Sequence, residues 1–202
     1  MNNILAVTAD LKRCSVALAY NDKIFSKTEN LDSATHLVSL VQSVVNSANA
    51  DLQKINSLIT TSGPGSFTGI RVAQSVIKGL ALSLNIPAKC LSYFEVIKHL
   101  YGKNEDIVVL IKSEKQQVYF YDFAMRTCGV SSYQELKSQV TPHIPWVGEK
   151  IEELQSICDG NYVEISDFRD AKNLLSLTDI ADDQVCPLYI GMRNGEAKVN
   201  CW

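Results

Sequence analysis

Large and small residues alternate strictly from Cys14 to Tyr20, with Cys14, Val16, Leu18 and Tyr20 on one side and Ser15, Ala17 and Ala19 on the other. A strand repeats its facing every second residue, so this run predicts a strand. The short apolar run Ile4–Val7 pairs with it through a turn around residues 10–13, and a third strand, 23–29, follows the Asn21-Asp22 turn. The period then changes. Leu37, Leu40, Val41, Val44, Val45 and Ala48 recur at helical spacing, with Asp32 or Ser33 as N-cap. Three antiparallel strands leading into a helix is the order predicted.

A strand through residues 55–62 runs into the stretch Ser62-Gly63-Pro64-Gly65-Ser66-Phe67-Thr68-Gly69-Ile70-Arg71, and a helix follows from about Thr68 to Leu84. Asn85 stops that helix and Pro87 prevents its resumption. Residues 88–92 predict a strand and 93–101 a short helix. The polar stretch 102–106 divides the chain into lobes 1–102 and 103–202. Residues 107–111 are apolar throughout, as in a strand covered on both faces, and 117–123 form its antiparallel neighbour with Tyr119, Tyr121 and Phe123 on one side. Further on, a short strand and a helix starting near Glu149, a strand at 161–166 and a helix at 167–181 are expected. The tail 186–202 reads as loop with little periodicity.

The balance of 19 basic against 22 acidic residues, net −3, leaves no excess to neutralise phosphates, so any nucleic-acid role is shared with a partner. No apolar segment approaches a membrane span, and the N-terminus lacks a basic region followed by a long apolar core, so a cytoplasmic protein is expected. The cysteines at 14, 90, 128, 158, 186 and 201 form no Cys-x-x-Cys pair, and the histidines, 36, 99 and 143, are isolated. Reduced, mostly buried thiols and no metal are expected, with Cys201 exposed.

The glycine loop fits neither common nucleotide motif. A Walker loop requires Gly-Lys-Ser/Thr at its end, where Gly69-Ile70-Arg71 stands, and the dinucleotide fingerprint requires glycine at Thr68. General chemistry survives: glycines permit unusual φ and close approach, and Ser66 or Thr68 can cap a helix whose amides favour an anion. Gly63, Gly65, Ser66, Thr68, Gly69 and Arg71 are therefore the candidate anion contacts, with a purely structural turn as the other reading. Arg71 has two roles open to it, pairing with a carboxylate or holding a phosphate.

In its setting the loop says more. The run Gly63 to Arg71, then Lys78 to Leu82 and Ile86-Pro87, at fixed spacing after the opening strands, resembles the TsaB family, also called YeaZ, over roughly residues 4–100. The resemblance implies an α/β, ribonuclease H-like fold of the actin, chaperone-ATPase and sugar-kinase type, with two lobes on mixed five-stranded sheets and a reduced, divergent second lobe. It also implies a supporting role in making threonylcarbamoyladenosine in tRNA. The implied partners are a TsaD-like catalytic subunit and a TsaE-like ATPase, with tRNA reached only through the complex. Departures from the family pattern are informative. Thr8 stands where nucleotide enzymes of this superfold carry aspartate, and Asp10 lies about 7 Å further along if the strand continues. Lys112, Ser113 and Glu114 replace an Asp-Ala-Arg run, Gln117 replaces a glutamate, and 187–193 matches the family's tail irregularly.

Two helices carry an expected interface. On the first, Leu37 and Val41 share a side from which Val38 and Val45 depart, more than one small lobe is expected to cover. On the second, Ser75, Gly79 and Ser83 align between Val72 and Val76, and small residues in that register admit a second helix. The resemblance implies that these helices pair with those of TsaD. Self-association into a homodimer is expected when that partner is absent. A non-catalytic subunit follows, with no cofactor of its own and ATP, if any, only at a shared interface. The alternative is a nucleotide-binding phosphotransferase or hydrolase, or a peptidase, of the same superfold. His36 has Leu40 where a second metal ligand would stand, so it reads as a surface residue.

Overall fold

The computed structural model describes residues 2–10, 13–30, 33–102, 106–113, 116–155, 157, 161–193 and 196–200. The chain divides into two units, Met1–Ser92 with Arg169–Pro187, and Tyr93–Phe168 with Leu188–Trp202.

The first unit opens with β1 (Ile4–Ala9), β2 (Cys14–Tyr20) and β3 (Lys23–Glu29), an antiparallel meander. Asn21 and Asp22 have φ of 50° and 61°, the pair of left-handed residues that a two-residue hairpin requires. α1 (Ser33–Ser47) then crosses to β4 (Ser57–Gly63), and α2 (Phe67–Leu84) crosses to β5 (Ala88–Ser92). The sheet order is β3-β2-β1-β4-β5, with β4 parallel to both β1 and β5. The caps anticipated for α2 form: Ser66 Oγ accepts from Gly69 N–H at 3.1 Å, and Asn85 adopts φ 54°, ψ 47°. For α1, Asp32 lies outside the described residues.

The alternation in β2 has a structural cause. Its large side, Cys14, Val16, Leu18 and Tyr20, joins Leu5 and Val7 of β1 in one core with Leu37, Val41, Val44 and Val45 of α1 and Ala73 and Ile77 of α2. Burial of a side chain of that size contributes roughly 1.5–3 kcal/mol. The small side, Ser15 and Ala17 opposite Thr8 and Ala6, is equally buried, because the returning segment packs on β1 and β2. Residues 167–181, expected to be helical, form only a 3-10 turn, Ala171–Leu174. Its continuation keeps three-residue bonds, Leu177 N–H to Leu174 O and Ile180 N–H to Leu177 O. Tertiary demand overrides helical period here: Phe168, Asp170, Ala171, Leu174, Leu175, Leu177 and Thr178 are all buried, more positions than one helical face presents.

The second unit begins with α3 (Tyr93–Tyr101), which packs against β6 (Val108–Lys112) and β9 (Trp146–Gly148). That packing draws the division to Ser92/Tyr93, rather than 102/103, and residues 103–105 of the expected boundary lie outside the described residues. β7 (Gln117–Asp122) and β8 (Thr127–Ser132) complete an antiparallel meander, α4 (Leu136–Gln139) and α5 (Glu152–Gln155) are single turns, and β10 (Tyr162–Glu164) is parallel to β9. The order β10-β9-β6-β7-β8 repeats that of the first sheet. The reduction lies in the crossovers: four residues each in α4 and α5, against 15 and 18 in α1 and α2.

β8 and α4 escape sequence reading, since the buried positions of β8 are Gly129 and Ser131, too small to mark a hydrophobic period. The tail is not a loop but a hairpin, β11 (Tyr189–Arg193) and β12 (Glu196–Asn200), packed against β8. Arg193 pairs with Glu196, and the sequence between them is Asn-Gly, the pair favoured in two-residue hairpin connections. Cys158, Cys201 and Glu114 lie outside the described residues.

Candidate functional site

Gly63 ends β4 at φ 100°, a backbone conformation that favours glycine, and an added Cβ there would meet the end of the Ile70 side chain, Cδ1, at 2.7 Å. Its N–H is taken by Thr61 Oγ1 at 3.0 Å. Gly69 is a close approach: a Cβ would lie 2.7 Å from Ala9 O and 2.8 Å from Asp10 Cα. The first turn of α2 therefore sits directly on the end of β1. Of the expected contacts, Ser66 is the cap and Gly65 is half-buried, while Thr68 is exposed. Arg71 stacks its guanidinium 3.8 Å over the centroid of Phe67, itself 56% exposed, a contact sequence reading did not anticipate.

Thr8, in the position where an aspartate would organise phosphate chemistry, is buried, and its hydroxyl donates to Arg169 O at 2.7 Å. β1 stops at Ala9, so Asp10 does not continue the strand; its N–H donates to Arg13 O, and its Oδ2 forms an ion pair with Arg169 Nε at 3.1 Å. Next to it, Ser15 Oγ donates to Asp170 Oδ1 at 3.3 Å and accepts from Ala171 N–H at 3.0 Å. Asp170 Oδ1 also caps Lys172 N–H, and Arg13 and Lys172 bring their cations to 3.9 and 3.8 Å from Oδ2. The carboxylates and hydroxyls at this end of the sheet are thus turned toward the chain's own return segment. Sequence reading missed Ser15, Arg169 and Asp170 because their partners are about 155 residues away; only the Asp170 cap left a local signal.

The expected interface separates into two groups. Leu37, Val41 and Val45 are 0, 6 and 4% exposed, so the expectation that one lobe cannot cover both sides of α1 is corrected: the sheet covers one side and α2 the other. Val38 is 64% exposed. On α2, Ser75, Gly79 and Ser83 are exposed, Val72 and Val76 half-buried, and among the described residues nothing lies within 4 Å of a Cβ placed on Gly79. Leu82, on the same helix, is 86% exposed.

Burial raises the described thiols Cys14, Cys90 and Cys128. Burial pushes the Cys90 thiol up to about 12, reinforced by Cys186, and its Sγ donates to Cys186 O. Burial, with Glu29 adding to it, raises Cys14 as well. His36 is exposed on α1. Among the described residues, no helix is long and apolar enough to cross a membrane.

Two sheets of one repeated order, three antiparallel strands followed by two parallel ones, and a glycine loop between β4 and α2 define a ribonuclease H-like, actin-type protein. YeaZ from Pseudomonas aeruginosa shares the fold at a TM-score of 0.74 and 22% identity, covering 94% of this chain and all of that one. The ethanolamine utilization protein EutJ from Carboxydothermus hydrogenoformans does so at 0.53 and 8% identity, over 86% of this chain and 87% of that one. The family model "TsaD: tRNA N6-adenosine threonylcarbamoyltransferase" matches residues 30–149, and the chain belongs to that family, in its TsaB (YeaZ) branch. The tRNA threonylcarbamoyladenosine biosynthesis protein TsaB of Buchnera aphidicola from Acyrthosiphon pisum is 28% identical over 158 residues, 76% of this chain and 65% of that protein. The Escherichia coli protein of the same name is 29% identical over 157 residues, 75% of this chain and 67% of that protein. The chain thus spans about two thirds of the length of these curated relatives.

Proposed function

We propose that the chain takes part in threonylcarbamoyladenosine biosynthesis in tRNA as a non-catalytic subunit, binding and positioning a TsaD-like catalytic subunit. The observation that carries this reading is the exposed seam of Ser75, Gly79 and Ser83 on α2, with open space above Gly79, in a chain of this family. A mid-helix glycine costs about 1 kcal/mol relative to alanine, and close approach of a partner helix offsets that cost. Support for the non-catalytic part comes from Thr8 and Asp10, whose side chains bond to Arg169 of the same chain. In this reading a TsaE-like ATPase joins the complex, tRNA is met only through it, and any ATP belongs to a shared interface. The chain itself carries no cofactor, works in the cytoplasm, and self-associates through the same seam when its partner is missing. Co-purification with the TsaD-like protein of the same organism tests it. A stable complex that the parent chain forms and Gly79→Leu does not is the expected result; turnover by the isolated chain would overturn the non-catalytic assignment.

A further inference from the structure

The two edges of the first sheet differ. At β5, Cys90 N–H and C=O bond to Asp182 of the return segment, which covers part of that edge. β3 is the other edge, and among the described residues no strand lies beyond it. Lys23, Ile24, Ser26, Lys27 and Thr28 are exposed, Ile24 to 64%. An open edge strand is a template for another strand. The phase of the hairpin fixes which groups it offers. Tyr20 and Lys23 flank the two-residue turn and so form a hydrogen-bonded pair, and bonded and non-bonded pairs then alternate along β2 and β3. Lys23, Phe25, Lys27 and Glu29 thus turn their main chain to β2, and Ile24, Ser26 and Thr28 turn theirs outward. Among the described residues no main-chain bond meets those outward groups.

The side chains of β3 select its partner. When a second β3 is laid antiparallel on these outward groups, about a two-fold axis through Ser26, Ser26 meets Ser26 and Ile24 meets Thr28, each pair exchanging main-chain bonds. At the closer, non-bonded pairs between them, Lys23 meets Glu29 and Phe25 meets Lys27. Opposite charges face each other, and a cation faces an aromatic ring. Glu29, already 2.7 Å from Lys27 of its own strand, then links the two copies. A slip of two residues, the smallest that keeps the outward groups paired, sets Lys23 opposite Lys27 in one direction and Lys27 opposite Lys27 in the other. Lysines on an edge ordinarily discourage pairing, and here a single register answers them. We propose that β3 is a homodimer interface, pairing antiparallel with β3 of a second copy in this register and joining the two five-stranded sheets. α2 packs over β1, β4 and β5, so its seam takes no part.

The test uses the full chain carrying Gly79→Leu, so that association through α2 and association through β3 are read apart. Sedimentation equilibrium from about 1 μM to about 1 mM, the window of weak dissociation constants, should show a monomer–dimer equilibrium in that background. Ser26→Pro removes an outward N–H and leaves the β2 ladder whole, because Ser26 and Ala17 are a non-bonded pair; it should abolish the dimer. Charge reversal gives a second reading that does not depend on proline being tolerated. Lys23→Glu or Glu29→Lys alone sets like charges opposite at both copies of the pair and should weaken the dimer at least about fivefold. The two reversals together restore opposite charges and should return the dissociation constant to within about threefold of the Gly79→Leu chain. A monomer at every concentration, a dimer unmoved by Ser26→Pro in a folded chain, or a double reversal as weak as the single ones would each overturn the proposal.

Discussion

Gly69 shows how one residue can hold an element in place. Its Cα faces Ala9 O so closely that any Cβ would displace backbone, whereas a Cβ on Gly79, ten residues along the same helix, meets none of the described residues within 4 Å. Gly69→Ala is therefore expected to cost about 1–3 kcal/mol by overpacking, despite the gain in helix propensity, as read by denaturant unfolding. Asp170 acts through hydrogen bonds rather than space. Asp170→Ala removes both the cap on Lys172 and the acceptor of Ser15, an expected loss of about 1–3 kcal/mol. Asp170→Asn retains an oxygen for both and should stay within about 1 kcal/mol of the parent, because ion pairs near 3.8 Å to partly exposed cations contribute little. Cys90 adds a pH dependence. Its thiol ionises from about 9.0 when unfolded and at about 12 when folded, so between those values unfolding releases a proton. Stability should fall there as pH rises, by about 1.4 kcal/mol per pH unit, and Cys90→Ala should remove that share of the slope in unfolding curves recorded from pH 8 to 11.

At the scale of elements, α2 has two unlike faces. Ile70, Ala73, Gln74 and Ile77 point into the chain, and Gln74 donates to Thr61 O, tying the helix to β4. Gly79 is on the other face, so leucine there has room in the isolated chain and recovers up to about 1 kcal/mol of helix propensity. Gly79→Leu should accordingly hold or raise the melting temperature while weakening capture of a TsaD-like partner by roughly 5- to 150-fold, the equivalent of about 1–3 kcal/mol of overpacking. Calorimetry on the variant and titration against the partner read the two effects separately; unchanged affinity would remove the seam from the interface. The return segment is the contrasting element. Its helical period is overridden, and its form is set by the small face of β1 and β2 beneath it.

For the molecule as a whole, the isolated chain is expected to hydrolyse no ATP, since Thr8 and Asp10 are committed to Arg169; steady turnover lost in Asp10→Ala would contradict this. A net charge of −3 further predicts weak tRNA binding at physiological salt, and a submicromolar gel shift by the protein alone would count against it. Wherever local periodicity is strong, the order of elements is legible in the amino-acid string: the meander Ile4–Glu29, α1, α2 with both caps, and the buried run of β6. The glycine loop was legible too, because left-handed φ at Gly63 and a serine cap are local requirements. Side-chain pattern along one strand or helix reports which face is apolar, and no more. It does not report what covers that face, so Leu37, Val41 and Val45 passed for interface until the sheet and α2 were seen to bury them. Nor does it reveal partners distant in sequence. The bonds of Thr8 and Ser15 to residues 169–171, the 3-10 course of the return segment and the division at Ser92/Tyr93 were decided by tertiary structure, because each depends on groups that only folding brings within bonding distance.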